Sequence, residues 1–328
     1  MNILLIRVSS LGDVLHNMPI VADILRHFPH AKIDWVVEEG YVELVKLNPN
    51  VRKVIPFALR RWRKALFSAP VRAEIAAFKK SLQAQTYDVI LDTQGLLKTG
   101  VIMGLANGGA KVGLANGTEG SGYEAISRIF HTLSVPVDVR THAVLRGRIV
   151  AARALGYVDT LTEIAPDFGL TEPTLPATSG TPEWLAKPYA VFFHGTAGAA
   201  KKWPAHDWIT VGKHVNQLNY PVLLAWGNRD EQVEAEQLAA HIPNAQVLPK
   251  LSMMEAILLA QRATLVVGLD TGLTHIAAAY NRPTVEIYCA SPKWKTDGNW
   301  SESIINLGDK GAPPNAQEVI NAVDQLLA

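Results

Sequence analysis

Short, near-continuous apolar runs, each followed by a longer stretch of helical periodicity, govern what this chain folds into. Asn2–Val8, Lys32–Glu38, Val51–Phe57 and Tyr87–Asp92 read as strands, each with a candidate helix after it. A run such as "DVILD" is apolar without alternation, which suits a strand covered on both faces of a parallel sheet. Residues 160–188 break this rhythm; rich in Pro, Thr and Gly and without sustained periodicity, they read as a linker. The alternation then restarts, with strands at Tyr189–His194, Val222–Trp226, Ala245–Leu248, Thr264–Leu269 and Thr284–Tyr288. Helical patterns such as "DEQVEAEQLAAHI" and "SMMEAILLAQRA" fall between them. The expected fold is α/β, two doubly wound Rossmann-like domains facing a cleft, divided as 1–168, a linker over 169–188, and 189–328. A final amphipathic helix, Ala316–Leu327, closes the chain and is expected to pack back on the first domain. Ligands of such sheets bind beyond the carboxyl ends of the strands.

The totals agree with two domains. The chain has 328 residues, more than one hydrophobic core usually holds, and 48% of them are hydrophobic against 19% charged. A formal charge of +1 creates no overall field that recruits nucleic acid, so an anion site has to come from local clustering. The lone cysteine, Cys289, excludes an internal disulfide and any multi-cysteine metal site. Arg7 cuts short the apolar start, unlike a cleavable signal peptide, and no apolar run approaches the roughly 18 residues that span a bilayer. A soluble, cytoplasmic protein is expected.

Four loops carry residues that suit chemistry. In "SSLGDVLHNMP", Ser9, Ser10 and Asp13 lie between the first strand and the first helix. Two readings stay open: they cap the helix, or Asp13, ionised at neutral pH, serves as a general base. In "GLDTGLTHIAAAYNRP", Asp270, Thr271 and Gly272 open a helix whose free N–H groups suit a phosphate, with Thr271, Thr274 and His275 as added donors; a plain helix cap with a core-facing His is the alternative. In "HGTAGAAKKWPAHDW", small residues admit a ligand and a lysine is placed to neutralise a diphosphate; a solvated lysine pair is the plain alternative. In "ALRRWRKALFSAP", Arg60, Arg61, Arg63 and Lys64 surround Trp62. They suit an acidic, amphiphilic ligand at a membrane surface, or simply an exposed helix face. No Gly-x-Gly-x-x-Gly, P-loop, His-Glu-x-x-His, Gly-x-Ser-x-Gly or Asp-x-Asp motif is present.

Taken together, "IRVSSLGDVLHNMP", "DWVVEEG", "RRWRKALFSAP", "YDVILDTQGLLK", "KKWPAHDW" and "DTGLTHIAAA" resemble the lipopolysaccharide heptosyltransferases, inverting glycosyltransferases of the GT-B architecture, and among them those that add the first heptose. The likeness covers most of the chain and is weakest around 105–135, 160–188 and 290–312. It implies transfer of L-glycero-D-manno-heptose from ADP-heptose to the first 3-deoxy-D-manno-octulosonic acid (Kdo) of Kdo2-lipid A, by a monomer bound peripherally to the inner face of the inner membrane. By the same resemblance Asp13 is the catalytic base and Lys201 contacts the donor phosphates and leaving group. Thr196, Glu231, Asp270, Thr271, Gly272, Leu273, Thr274 and His275 fall at donor positions, and Ser10, Arg60, Arg61, Arg63 and Lys64 at the acceptor. No metal site and no required cofactor are implied, with loosely bound magnesium on the donor left open. The chain departs from the family pattern at Ala197, where a second hydroxyl residue would follow Thr196, and at Leu251, where relatives place a methionine along the nucleoside pocket. The alternatives are a transferase of the second heptose or of another ADP-sugar, a hydrolase or epimerase of the activated sugar, and a sugar-nucleotide binding protein without catalysis.

Overall fold

The computed structural model describes residues 1–157, 161–175 and 182–328. Part of the expected linker, residue 160 and residues 176–181, therefore lies outside the described residues. The chain divides into two compact units, Met1–Thr171 and Glu172–Ala328.

Each unit is built on a six-stranded parallel sheet. The first contains β1 (Asn2–Ile6), β2 (Lys32–Glu38), β3 (Val51–Phe57), β4 (Tyr87–Asp92), β5 (Gly108–Leu114) and β6 (Leu133–Val135) in the order β3-β2-β1-β4-β5-β6. The second contains β7 (Ala190–Phe193), β8 (Val222–Leu224), β9 (Gln246–Val247), β10 (Leu265–Leu269), β11 (Thr284–Tyr288) and β12 (Ile304–Gly308) in the order β12-β11-β10-β7-β8-β9. Both orders are the doubly wound arrangement. The strand order reverses between β1 and β4 in one unit and between β7 and β10 in the other, and a ligand crevice opens at such switch points. β1 and β10 are wholly buried beyond the chain's first residues, as their unbroken apolar runs require.

Three strands carry no clear apolar run and were not anticipated: β5, β6 and β12. "GGAKVGL" of β5 is small or polar at five of its seven positions, and β6 holds three residues, so neither announces itself by periodicity. The expected strand Ala245–Leu248 narrows to Gln246–Val247. The closing helix Ala316–Leu327 buries Val319, Ala322 and Val323 in the core of the second unit, against the helix Ala205–Gln217 and strands β10 to β12. Its apolar stripe is taken up by the sheet it follows in sequence. After the helix Ala143–Leu155, the described residues up to 171 run along the first unit, where Phe168 is buried and Thr171 N–H donates to the Leu47 carbonyl at 2.8 Å. On the far side Trp184 packs edge-on against Tyr189, within the second unit.

The charge is unevenly shared. Met1–Thr171 holds 20 Lys and Arg against 15 Asp and Glu, a net +5, whereas Glu172–Ala328 holds 11 against 15, a net −4. The near-neutral total thus conceals a basic first unit. No described helix is long and apolar enough to cross a membrane.

Candidate active site

In the first unit, the loop after β1 and the loop after β4 meet at the switch point. Asp13 sits in the first turn of the helix Leu11–His16, where Ser10 is the N-cap. Its Oδ2 accepts from the Ser10 N–H at 3.1 Å and the Ser10 hydroxyl at 2.9 Å, which is the capping reading of the sequence. Capping occupies only part of the carboxylate. Arg7 Nη2 lies 2.5 Å from Oδ1 and Arg146 Nη2 3.6 Å from it, both guanidinium groups being almost fully buried, while a third of the Asp13 side chain stays open to solvent. Burial alone would raise the Asp13 pKa; Arg7, then Arg146 and the Ser10 N–H outweigh it and hold the carboxyl well below the usual carboxylate range. Arg146 is itself lowered to about 10 by burial and by Arg7, with Asp13 opposing.

A cationic wall adjoins this carboxylate. Asp92 at the end of β4 accepts from the N–H groups of Gln94 and Gly95 and from the Thr99 hydroxyl, folding the turn that carries Gln94 and Lys98. Gly95 has φ +73°, so the turn needs a residue without a Cβ. Lys98 Nζ and Gln94 Nε2 both reach Ser9 Oγ, at 3.1 and 3.3 Å. Burial lowers the Lys98 ammonium, opposed by Glu38 and reinforced by the nearby Arg60, Arg63 and Arg7. Arg60 pairs with Glu38 at 3.1 Å and stays exposed. Arg61 is spent differently: it braces Glu39 at 2.9 Å and Glu74 at 2.8 Å, and Trp62 Nε1 donates to the same Glu74. Arg63 and Lys64 are exposed. The structure thus joins Ser10 to Asp13, sets Arg60 and Arg63 within reach of the Lys98 charge, and gives Arg61 a bracing role. Arg7, Gln94, Lys98 and Arg146 were missed by sequence reasoning. Arg7 left a trace, as the cation that interrupts an apolar run; Arg146, 133 residues from Asp13 in the chain, left none.

In the second unit, the loops after β7 and β10 meet at the corresponding place. Asp270 precedes the helix Gly272–Ala279, whose N-cap is Thr271. Its carboxylate accepts from Lys201 Nζ at 2.7 Å, Thr296 Oγ1 at 3.0 Å and Ser291 Oγ, and faces His275 Nε2 at 3.0 Å. His275 Nδ1 faces Glu286 Oε1 at 3.0 Å, and Glu286 Oε2 accepts from the Tyr288 hydroxyl. Burial would lower the His275 pKa, but Glu286 and then Asp270 raise it to about 10, so the ring is an imidazolium clamped between two carboxylates. Burial likewise acts to raise Asp270, and His275 and Lys201 overcome it, holding the acid far below its ordinary value.

Lys202 turns elsewhere and pairs with Glu234. Lys201, over a third exposed, is therefore the lysine that stands at the start of the Gly272–Ala279 helix. Thr274 is fully buried, its Oγ1 3.2 Å from Thr271 Oγ1 and packed where a Cβ on Gly268 would come within 2.2 Å of it. His275 and Thr274 thus lie one layer behind the surface, whereas Thr196, Thr271, Gly272 and Leu273 are half-exposed. Glu231 opens the helix Arg229–Ala239, and its Oε2 accepts from the Gly227 N–H at 2.7 Å. Among the described residues, no group of three His, Cys, Asp or Glu could hold a metal ion.

Residues 75–322 match the profile of glycosyltransferase family 9 (heptosyltransferase). The chain belongs to this family. It is therefore a glycosyltransferase, and its two polar clusters lie on loops of a family 9 fold. The heptosyltransferase is 36% identical to lipopolysaccharide heptosyltransferase 1 of Escherichia coli O18:K1:H7, over 100% of this chain and 97% of the relative. It is 37% identical to lipopolysaccharide heptosyltransferase 1 of Pseudomonas aeruginosa, over 94% of this chain and 84% of that one. The solved structure of E. coli heptosyltransferase WaaC with ADP superposes with a TM-score of 0.84 at 32% identity, covering 99% of this chain and 100% of that chain.

Proposed function

We propose that this heptosyltransferase moves L-glycero-D-manno-heptose from ADP-heptose to the first Kdo of Kdo2-lipid A, with inversion, in assembly of the lipopolysaccharide inner core. The first unit takes the acceptor and the second takes the donor. The observation that carries the reading is the Asp13 carboxylate: ionised by buried Arg7 and Arg146 and a third open to solvent, with Lys98 on the nearby Ser9 and Arg60 and Arg63 close enough to act on the Lys98 charge. A phosphorylated, carboxylated saccharide lipid is the acceptor such a wall suits.

In the reaction, the acceptor hydroxyl oxygen bonds to the anomeric carbon as the carbon–oxygen bond to the diphosphate breaks, and ADP departs with the electron pair. The transition state has oxocarbenium character, as in glycosyl transfer generally. A carboxylate held so far into its ionised form is a weak base, yet it suffices. The attacking oxygen becomes an oxonium as its bond forms, a far stronger acid than any carboxylic acid, and its proton passes to Asp13. Asp13 thus acts late, and Arg7 and Ser10 fix its direction beforehand. Lys201 and the free N–H groups at the start of the Gly272–Ala279 helix meet the charge that grows on the leaving diphosphate. The imidazolium of His275 acts at one remove: it holds Asp270, and Asp270 holds the Lys201 ammonium in place.

Peripheral attachment to the cytoplasmic face of the inner membrane follows from a lipid-borne acceptor. Incubating the protein with ADP-heptose, with and without Kdo2-lipid A, tests the reading. ADP release and a product heavier by one heptose are expected only with the acceptor. ADP release without it would favour a hydrolase, and no release with either would overturn the transferase reading.

A further inference from the structure

The first unit exposes an apolar face that its own fold leaves uncovered. The 3-10 helix Ala125–Phe130 lies flat on the helix Leu97–Leu105, because Phe130 packs against Gly100 and Gly104, where a Cβ at either would come within 2.7 Å of its ring. Glu124 fixes the other end by accepting the Leu97 N–H at 2.6 Å. With Ser127 buried and Phe130 turned inward, Ile126 and Ile129 face out, exposed to 52% and 68%. Leu97 and Val101, one turn apart on the neighbouring helix, are exposed to 42% and 41%. Four large aliphatic side chains exposed on two elements that pack together through Phe130 mark a surface that something covers.

The charge around this face names the occupant. Arg128 is exposed between the two isoleucines, and Arg63 stands near enough to act on the charge of Lys98, whose ammonium turns to Ser9. The connection carrying Arg63 and Lys64 continues into Leu66 and Phe67, the latter 95% exposed. The carboxylate of Glu124 is already engaged by the Leu97 N–H, and the whole unit carries net +5 while the other carries −4. Exposed aliphatic side chains with arginines beside them match the boundary of an anionic bilayer, where apolar groups enter between headgroups and Lys and Arg meet the phosphates.

We infer that the face formed by Leu97, Val101, Ile126 and Ile129, with Arg128 and the Arg63–Phe67 connection beside it, docks on the surface of an anionic phospholipid bilayer. The inference rests on the lipid-borne acceptor proposed above and assigns the surface that brings the first unit to it. The Asp13 cluster and this face share Lys98 and Arg63, so binding the membrane also places the cationic wall at headgroup level.

The test is co-sedimentation of the full chain with vesicles of phosphatidylethanolamine and phosphatidylglycerol, against vesicles of phosphatidylcholine alone. The wild-type protein is expected to sediment with the anionic vesicles, less so as salt is raised, and to stay in solution with phosphatidylcholine. The double variant Ile126→Glu/Ile129→Glu is expected to bind anionic vesicles at least tenfold more weakly, and Ile126→Ser/Ile129→Ser to weaken binding in the same direction. Both variants should keep the wild-type melting temperature and the wild-type rate on a water-soluble acceptor stripped of its acyl chains. Equal binding by wild type and variants would overturn the inference, as would a wild-type dimer in solution that the variants dissociate, since the face would then be a self-interface. Variant-sensitive vesicle binding without heptose transfer to any acceptor would uphold the face and overturn the function instead.

Discussion

Arg7 Nη2 lies 2.5 Å from Asp13 Oδ1, so the end of the first strand and the first turn of the first helix are joined through a buried guanidinium and the proposed catalytic base. The same guanidinium donates through Nη1 to the Thr93 carbonyl at 2.6 Å, tying the pair to the loop after β4. One cation thus fixes where the carboxylate points and keeps it charged.

Because Asp13 is held below its ordinary pKa, its ionised form contributes stability that is complete above about pH 4 and is lost only as pH falls through the depressed folded value. The kcat profile of the wild type should therefore be free of an acidic limb from Asp13 between about pH 5 and 9. Arg7→Gln removes the main opposing charge, lets burial raise the Asp13 pKa, and should introduce such a limb. A variant profile that superposes on the wild type would separate Arg7 from the state of the base.

Asp13→Ala should lower kcat by a factor on the order of 10² to 10⁴, the range of a general base, while ADP-heptose binding by calorimetry changes by less than a few fold. Asp13→Asn keeps the Ser10 contact and should lose comparable activity. Near-normal turnover in either variant would remove Asp13 from the chemistry.

The two adjacent lysines should behave differently. Lys201 stands with Asp270 at the helix start and Lys202 pairs with Glu234. Lys201→Ala is expected to cost roughly 10² to 10³ in kcat/KM, as removal of one donor to developing charge does, and Lys202→Ala less than tenfold. Equal losses measured by ADP release would place both at the diphosphate.

His275 separates two buried carboxylates, so His275→Leu should lower stability by about 3–5 kcal/mol and the melting temperature of the second unit by on the order of 10 °C. Its folded pKa of about 10 lies above its ordinary 6.5. The stability it supplies is then complete below about pH 6.5, declines above it, and is gone once pH passes about 10. Thermal melts of wild type and variant should accordingly converge toward pH 10. A gap that stays constant from pH 6 to 10 would mean that the ring is neutral.

The central strands were legible because each is buried on both faces, and burial of that kind forces an unbroken apolar run that local sequence displays. Asp13 and Asp270 were legible for a related reason: both close such runs at the start of a helix. The edge strands β6 and β12 and the small-residue strand β5 are under weaker demands and carry weaker signals. The roles within the basic cluster were not readable either. Arg60, Arg61, Arg63 and Lys64 are alike in sequence, and only the positions of Glu38, Glu39 and Glu74 decide which of them is paired off.

The order of residues alone therefore determined two α/β halves, their loops of interest and the family motifs, because these rest on local periodicity and on groups close together in the chain. Tertiary structure decided what those groups do. It brought Arg146 from a distant helix to Asp13, paired Lys201 with Asp270 and Lys202 with Glu234, and placed His275 behind Asp270. Such choices depend on charges meeting across a fold, where a few ångströms and the removal of water settle which pair forms, and no local pattern records that distance.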